Sequence, residues 1–352
     1  MKRYGNLWDE ITSIENIQLA FNKAKKGKGW QNTVKRVEDK KDIYLENLQD
    51  KLLNHSYYTS KYKEKVIYEP KQRIIYVLPF YPDRIAQHAV MNVVAPIWDR
   101  FFIKDSYACR KNKGQHAGSK RAMQFTRRNK YCLQCDVSKF YPSINHDVLM
   151  EIISRKIKDK NVLWLLGEII SSIGEDSNVP IGNYTSQWFG NLYLNELDQL
   201  MKHKYHVTDY IRYCDDFLMF SDSKEQLREW GNVAENFIKS WLKMKLSKKS
   251  IFPTTQGVDF LGYRHFPDGK ILIRKSTAKR QKQTIKEIPW LLSHGRISKE
   301  SALSKVASIK GWLMWADTYN LSIYMQLDRL EEWIKKYDGR TRFEVRISEA
   351  VE

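Results

Sequence analysis

Three carboxylates stand where carboxylates are out of place. Y-C-L-Q-C-D at 131–136 ends an apolar run on Asp136, and Y-I-R-Y-C-D-D-F-L-M-F at 210–220 sets Asp215 and Asp216 between β-forming residues. Adjacent carboxylates repel, and partial burial adds to the cost unless a cation neutralises them. Most Asp-Asp pairs are solvated turns. One flanked by apolar residues on both sides reads instead as a hairpin whose turn displays the acids. If the two stretches form neighbouring strands, Asp136 and Asp215 converge on one sheet edge. Hard oxygen ligands of this kind select Mg²⁺, with Mn²⁺ as a substitute. Two such ions about 3.5–4 Å apart clamp an in-line phosphoryl transfer.

Composition narrows the substrate. The 352 residues carry 60 Lys+Arg against 41 Asp+Glu, a formal charge of +19, and 13% aromatics. Such a balance argues for a polyanionic partner, and aromatic rings among cations suit base stacking beside phosphate contacts. Nucleotide plus nucleic acid is then the substrate class, with polymerase and nuclease both open. The cysteines are Cys109, Cys132, Cys135 and Cys214. Cys132 and Cys135 form a C-x-x-C, but no second Cys or His pair lies nearby to complete a zinc site. Residues three apart on a strand also face opposite ways, so core thiols are expected. No apolar run reaches the roughly 18 residues of a membrane span, and the first residues lack the apolar core of a signal peptide. A cytoplasmic protein is expected.

The elements that must position the acids follow from periodicity. Residues 13–54 read as Lys-rich helices, with Ile14, Ile17, Phe21 and Ala24 at helical spacing. Residues 64–79 read as two strands around a turn at Pro70, and 83–98 as a helix. Residues 110–130 hold eight Lys/Arg and no acid, with Gly114 and Gly118 in a loop. A strand is expected at 131–136, helices at 146–157 and 186–203, a hairpin at 209–220 and an amphipathic helix at 225–242. That order implies an α+β fold with helices on one side of a sheet. Beyond Tyr263 the composition shifts: 264–286 holds eight Lys/Arg against Asp268 alone, and helices follow, with Leu303, Val306, Ile309 and Leu313 on one face.

These residues resemble the reverse transcriptases. The strand ending in Asp136 followed by Phe140-Tyr141, with Y-C-D-D at 213–216, is similar to their palm. R-I-I-Y-V-L-P at 73–79 and D-R-I-A-Q-H-A at 83–89 resemble fingers motifs. F-I-K-D-S-Y-A-C-R-K-N-K-G at 102–114 resembles an insertion of group II intron-like enzymes, and L-S-K-K-S at 246–250 and F-L-G-Y at 260–263 resemble the last palm motifs. The resemblance implies a right-hand fold: an N-terminal helical extension at 1–63, fingers at 64–130, a palm at 131–275 with a fingers insertion at about 150–185, and a helical thumb at 276–352. It covers roughly residues 64–320.

One stretch narrows the family further. V-P-I-G-N-Y-T-S-Q-W-F-G at 179–190 holds no acid, base or histidine. Retroviral and group II intron enzymes usually carry Gln-Gly and then Ser-Pro here; this chain has Ile181-Gly182 and then Thr185-Ser186-Gln187. I-G-x-x-x-S-Q running into N-L-Y-L-N-E-L-D is similar to the enzymes of bacterial and phage diversity-generating retroelements. Those copy a template-repeat RNA into cDNA with errors opposite template adenines, and they work with a small basic accessory variability protein, a homo-oligomer.

By this resemblance Asp136, Asp215 and the carbonyl of Val137 hold two Mg²⁺ ions, with Asp216 in support. Tyr141, beside Phe140, stacks under the sugar and excludes a 2′-hydroxyl. Arg73 grips the dNTP triphosphate, and Lys249, or its neighbour Lys248, protonates departing pyrophosphate. Ile181, Gly182 and Gln187 lie at the nascent base pair. Arg84, Arg110, Lys111, Lys113, Arg274, Lys275, Lys279 and Arg280 hold the backbone of the RNA–cDNA duplex. The residues after Tyr263 suffice for a helical thumb but not also for an RNase H, maturase or HNH endonuclease domain. The rivals are a retron or phage-defence reverse transcriptase, and a polymerase fold kept as a non-catalytic RNA-binding scaffold.

Overall fold

A computed structural model describes residues 3–68, 72–339 and 343. The turn expected at Pro70 lies outside the described residues. Four helices open the chain, α1 (Trp8–Thr12), α2 (Ile14–Lys25), α3 (Asn32–Asp39) and α4 (Lys41–Leu53). The Ser13 hydroxyl caps α2 by accepting from the Asn16 amide, and Ile17, Ala20, Phe21 and Ala24 bury the apolar stripe. Strands β1 (Lys63–Ile67) and β2 (Arg73–Val77) pair antiparallel, Lys63 opposite Val77. Helix α5 (Ile85–Asp99) is buried along most of its length and packs on α2.

Helix α6 (Gln115–Arg128) replaces the glycine-bearing loop expected at 110–130. Gly118 is buried there, and Ala122, Met123 and Phe125 form an inner face that the charge count masked. Strand β3 (Tyr131–Val137) follows, then α7 (His146–Ser154), α8 (Lys160–Ile170) and α9 (Tyr184–Gln199). Asn145 caps α7 at the Val148 amide, and Asp159 caps α8 while also accepting from the Leu7 and Trp8 amides. Strands β4 (Tyr210–Tyr213) and β5 (Asp216–Ser221) form an antiparallel hairpin closed by Tyr213 opposite Asp216. Helix α10 (Lys224–Ser240) buries Leu227, Gly231, Ala234 and Ile238, and leads to β6 (Leu246–Pro253). The sheet order is β4-β5-β3-β6, which sets the hairpin against the strand that carries Asp136.

Strands β7 (Val258–Phe260), β8 (Tyr263–His265) and β9 (Ile271–Ile273) make a small antiparallel sheet. Helices α11 (Lys275–Ser293), α12 (Lys299–Leu313), α13 (Tyr319–Tyr324) and α14 (Leu327–Lys336) follow. Their core joins Ile285, Ile288, Val306, Ile309, Leu313, Leu330 and Ile334 with Tyr263 of β8. The chain falls into two compact units. One takes the chain up to Gly114 with Leu133–Met219 and Glu225–Ser250; the other takes Gln115–Cys132, Phe220–Lys224 and the chain from Ile251. Both antiparallel sheets and helices are present, a mixed α/β architecture. Among the described residues no helix is long and apolar enough to cross a membrane.

Candidate active site

The acids sit where strand pairing delivers them. A two-residue turn, Cys214-Asp215, joins β4 to β5, so Asp215 is at its tip and Asp216 begins the returning strand. Cys214 adopts φ 57°, a left-handed conformation that costs a non-glycine residue energy and recurs at functional turns. The Val137 amide donates to the Asp215 carbonyl at 3.3 Å, tying the end of β3 to the turn.

The carboxylates feel one another. Burial raises Asp215 above the usual carboxylate range and Asp136 adds to it, while Arg73 pulls the other way. Burial pushes Asp216 up to about 7; Gln134 opposes, and the charges of Asp136 and Asp215 add. Asp136 accepts from the Ser247 hydroxyl, which also bonds its backbone carbonyl at 3.2 Å. Among the described residues no three His, Cys, Asp or Glu side chains form a metal cage. Two carboxylates whose charges repel still fit Mg²⁺, which binds through one or two carboxylates and completes its shell with water and substrate phosphate.

Alternation on β6 separates the two lysines. Lys248 Nζ donates to Gln134 Oε1 at 2.7 Å, and Gln134 Nε2 donates to Asp216 Oδ1 at 3.4 Å. Lys249 Nζ faces α10 instead, on Asn232 Oδ1 and Glu235 Oε2, both at 2.7 Å. Tyr141 follows β3 in a short turn, its hydroxyl 3.6 Å from Cys214 Sγ and its ring 5.1 Å from that of Phe140.

The 181–187 stretch reaches the β1–β2 hairpin. The Tyr76 amide donates to the Ile181 carbonyl at 2.8 Å. Gly182 has φ 127°, and a Cβ there would lie 2.2 Å from the Tyr76 carbonyl oxygen, so no other residue fits without moving backbone. Gln187 and Arg73 are exposed.

The basic residues divide. Arg110 commits its guanidinium to Asp99 (2.6 Å) and the Ile103 and Ser106 carbonyls, and Lys113 bonds the Lys104 carbonyl at 2.6 Å. Arg274 pairs with Asp259. Arg84 is half-buried, and burial lowers its pKa. Lys111 is exposed, as are Lys275, Lys279 and Arg280 on α11. The four thiols are free, and Cys132 and Cys135 are fully buried.

Sequence reading missed the girder beneath the turn. Arg212 of β4 is fully buried and forks onto Asp198 of α9, Nη2–Oδ2 2.6 Å and Nε–Oδ1 2.8 Å. Asp198 also accepts from Tyr210 Oη at 2.7 Å. Arg212 Nη1 donates to the Cys214 carbonyl at 3.0 Å, so the pair holds the turn itself. Burial alone would lower the Arg212 pKa; Asp198 outweighs it and holds the guanidinium charged. The available signal was an arginine inside an otherwise apolar strand, which demands a buried anion.

The family model for the reverse transcriptase (RNA-dependent DNA polymerase) matches residues 62–265. Protein YkfC of Escherichia coli is 24% identical over 320 residues, covering 77% of this chain and 82% of that protein. The group II intron-encoded protein LtrA of Lactococcus lactis is 22% identical over 244 residues, 65% of this chain. This chain spans 41% of LtrA's length. An uncharacterized 91 kDa protein in the cob intron of Schizosaccharomyces pombe is 23% identical over 136 residues, 36% of this chain and 17% of that one. The chain belongs to the reverse transcriptase family and is an RNA-directed DNA polymerase.

Proposed function

We propose that this polymerase is the enzyme of a diversity-generating retroelement, copying a template-repeat RNA into cDNA with errors concentrated opposite template adenines. The single observation that carries the reading is Ile181 at a backbone-fixed position. Its carbonyl is held by Tyr76, and the next residue is a glycine that cannot be anything else. Related enzymes place a hydrogen-bonding glutamine there. An aliphatic side chain offers no hydrogen bond to reward correct base-pair geometry, so discrimination weakens.

In this reading the enzyme has a right-hand layout, with 64–130 as fingers, 131–275 as palm and 276–352 as thumb. Asp136 and Asp215 hold divalent metal with the Val137 carbonyl, and Asp216 supports them. Divalent metal held by these residues would supply activation of the attacking hydroxyl and neutralisation of charge on the departing phosphates. The chain does the rest. Arg73 orients the triphosphate, a role suited to a guanidinium fork. Tyr141 underlies the sugar and excludes a 2′-hydroxyl. Lys248, on the Asp216 side of β6, is better disposed than Lys249 to give a proton to the leaving group. Lys111, Lys275, Lys279 and Arg280 are free to track RNA–cDNA phosphates. A small basic homo-oligomeric protein is the proposed partner, with nucleic acid bridging two positive surfaces.

The test is sequencing of cDNA made on an RNA template containing all four bases. Errors should cluster at template adenines, and Ile181→Gln should lower them there by about threefold or more, the worth of one hydrogen bond. Errors spread evenly over the four bases would point to a retron or phage-defence enzyme instead.

A further inference from the structure

Tyr141 is clamped from two sides, by the turn that carries Asp215 and by helix α9. Its hydroxyl meets Cys214 Sγ at 3.6 Å, and Cys214 belongs to the turn that carries Asp215. Cys214 holds a left-handed φ of 57° in that turn. Gly190, in the interior of α9, flanks the same rings. A Cβ added at Gly190 would meet Phe140 Cε1 at 2.9 Å and Tyr141 Cε1 at 3.3 Å. Glycine weakens a helix interior relative to alanine, so its presence calls for a packing reason. Phe140 is buried and cannot swing aside to absorb a methyl group. Tyr141 itself remains a neutral phenol, because burial and Cys214 hold its pKa far above the usual range.

We propose that Cys214 and Gly190 are positioning residues for sugar selection: the Cys214 thiol fixes the outer edge of the Tyr141 ring, and the absent side chain at Gly190 lets that ring lie deep enough to leave room for a deoxyribose but not for a ribose. The inference rests on the sugar-facing role given to Tyr141 above. It also ties nucleotide choice to the catalytic turn, since one residue both bonds the selecting ring and precedes Asp215.

The experiment measures kcat/KM for a dNTP and the matching rNTP with one RNA template and DNA primer. Cys214→Ala should lower the dNTP preference by about threefold to tenfold, the range of one hydrogen bond. Cys214→Ser, which restores a hydrogen-bonding partner, should return it to within about twofold of the original, a rescue that a purely structural thiol would not give. Gly190→Ala should shift the preference too, chiefly through KM, by pushing the ring toward the sugar. Tyr141→Phe keeps the ring and deletes the hydroxyl, so adding Cys214→Ala to it should change nothing further. Full effects from Cys214→Ala in the Tyr141→Phe background would overturn the clamp. So would an unchanged preference in Cys214→Ala, provided Tyr141→Ala raises rNTP use. If Tyr141→Ala leaves sugar preference untouched, the role of Tyr141 falls, and the clamp falls with it as a device for selection.

Discussion

Replacing Arg212 by methionine tests whether the Cys214-Asp215 turn is held from below. Arg212 and Asp198 both have side chains wholly out of solvent. The substitution keeps most of the volume but strips Asp198 of its three bonds from the guanidinium, at 2.6–3.0 Å, leaving it only Tyr210. The Cys214 and Asn191 carbonyls lose donors as well. Removing one partner of a buried ion pair costs about 3–5 kcal/mol, because an uncompensated charge stays behind. Pairing Arg212→Met with Asp198→Leu removes that charge and should recover at least about 2 kcal/mol, so the two substitutions are strongly coupled. Chemical denaturation at pH 7.5 reads the stabilities, and single-nucleotide incorporation reads the consequence. Because Arg212 anchors the Cys214 carbonyl, kcat should fall even in protein that remains folded. An Arg212→Met protein within about 1 kcal/mol of the original, or a double variant no better than the single, would refute the reasoning.

Two titratable groups, Asp216 and His88, give opposite pH responses. Asp216 has its carboxyl raised from 3.8 to about 7, so its protonated form favours folding at low pH and that contribution is lost as pH rises through 7. In metal-free buffer at pH 8, Asp216→Asn should therefore stabilise the fold by on the order of 2–4 kcal/mol, with the gap closing below pH 4; denaturation in chelator that shows no gain at pH 8 counts against the buried charge. His88 runs the other way. Burial, then Lys28, Lys23 and Arg84, lower it from 6.5 to about 4, so stability is complete above pH 6.5 and is lost as pH falls through 4. His88→Phe keeps the stack on Tyr184, 4.1 Å between ring centres, and should remove roughly 3 kcal/mol of loss between pH 6.5 and 4. Parallel stability profiles for the two proteins would contradict this.

Much of the site was legible because it depends on local pattern. An apolar run that ends on Asp136 and a hairpin with its acids at the turn need no tertiary information, and sheet order then sets β5 beside β3. What escaped depends on partners distant in sequence. Arg212 reads as an oddity until Asp198 arrives from α9. Lys248 and Lys249 are indistinguishable as letters, yet a strand sends them to opposite faces, one toward Gln134 and one toward α10. Residues 110–130 read as a basic run with a glycine-bearing loop because Gly118 and the cations hid the apolar face of α6, which only packing reveals. Arg110 shows the limit of counting charge: beside Asp99 and two carbonyls, a cation is a structural bolt.

The most direct test of the whole assignment is Asp215→Asn in single-nucleotide incorporation on an RNA template with Mg²⁺. The substitution is nearly isosteric and removes one carboxylate charge from the turn. Incorporation should fall by at least about a thousandfold, or 4 kcal/mol of barrier, while RNA affinity and the denaturation midpoint stay close to the original. Incorporation within about tenfold of the original would contradict the placement of chemistry at Asp136 and Asp215.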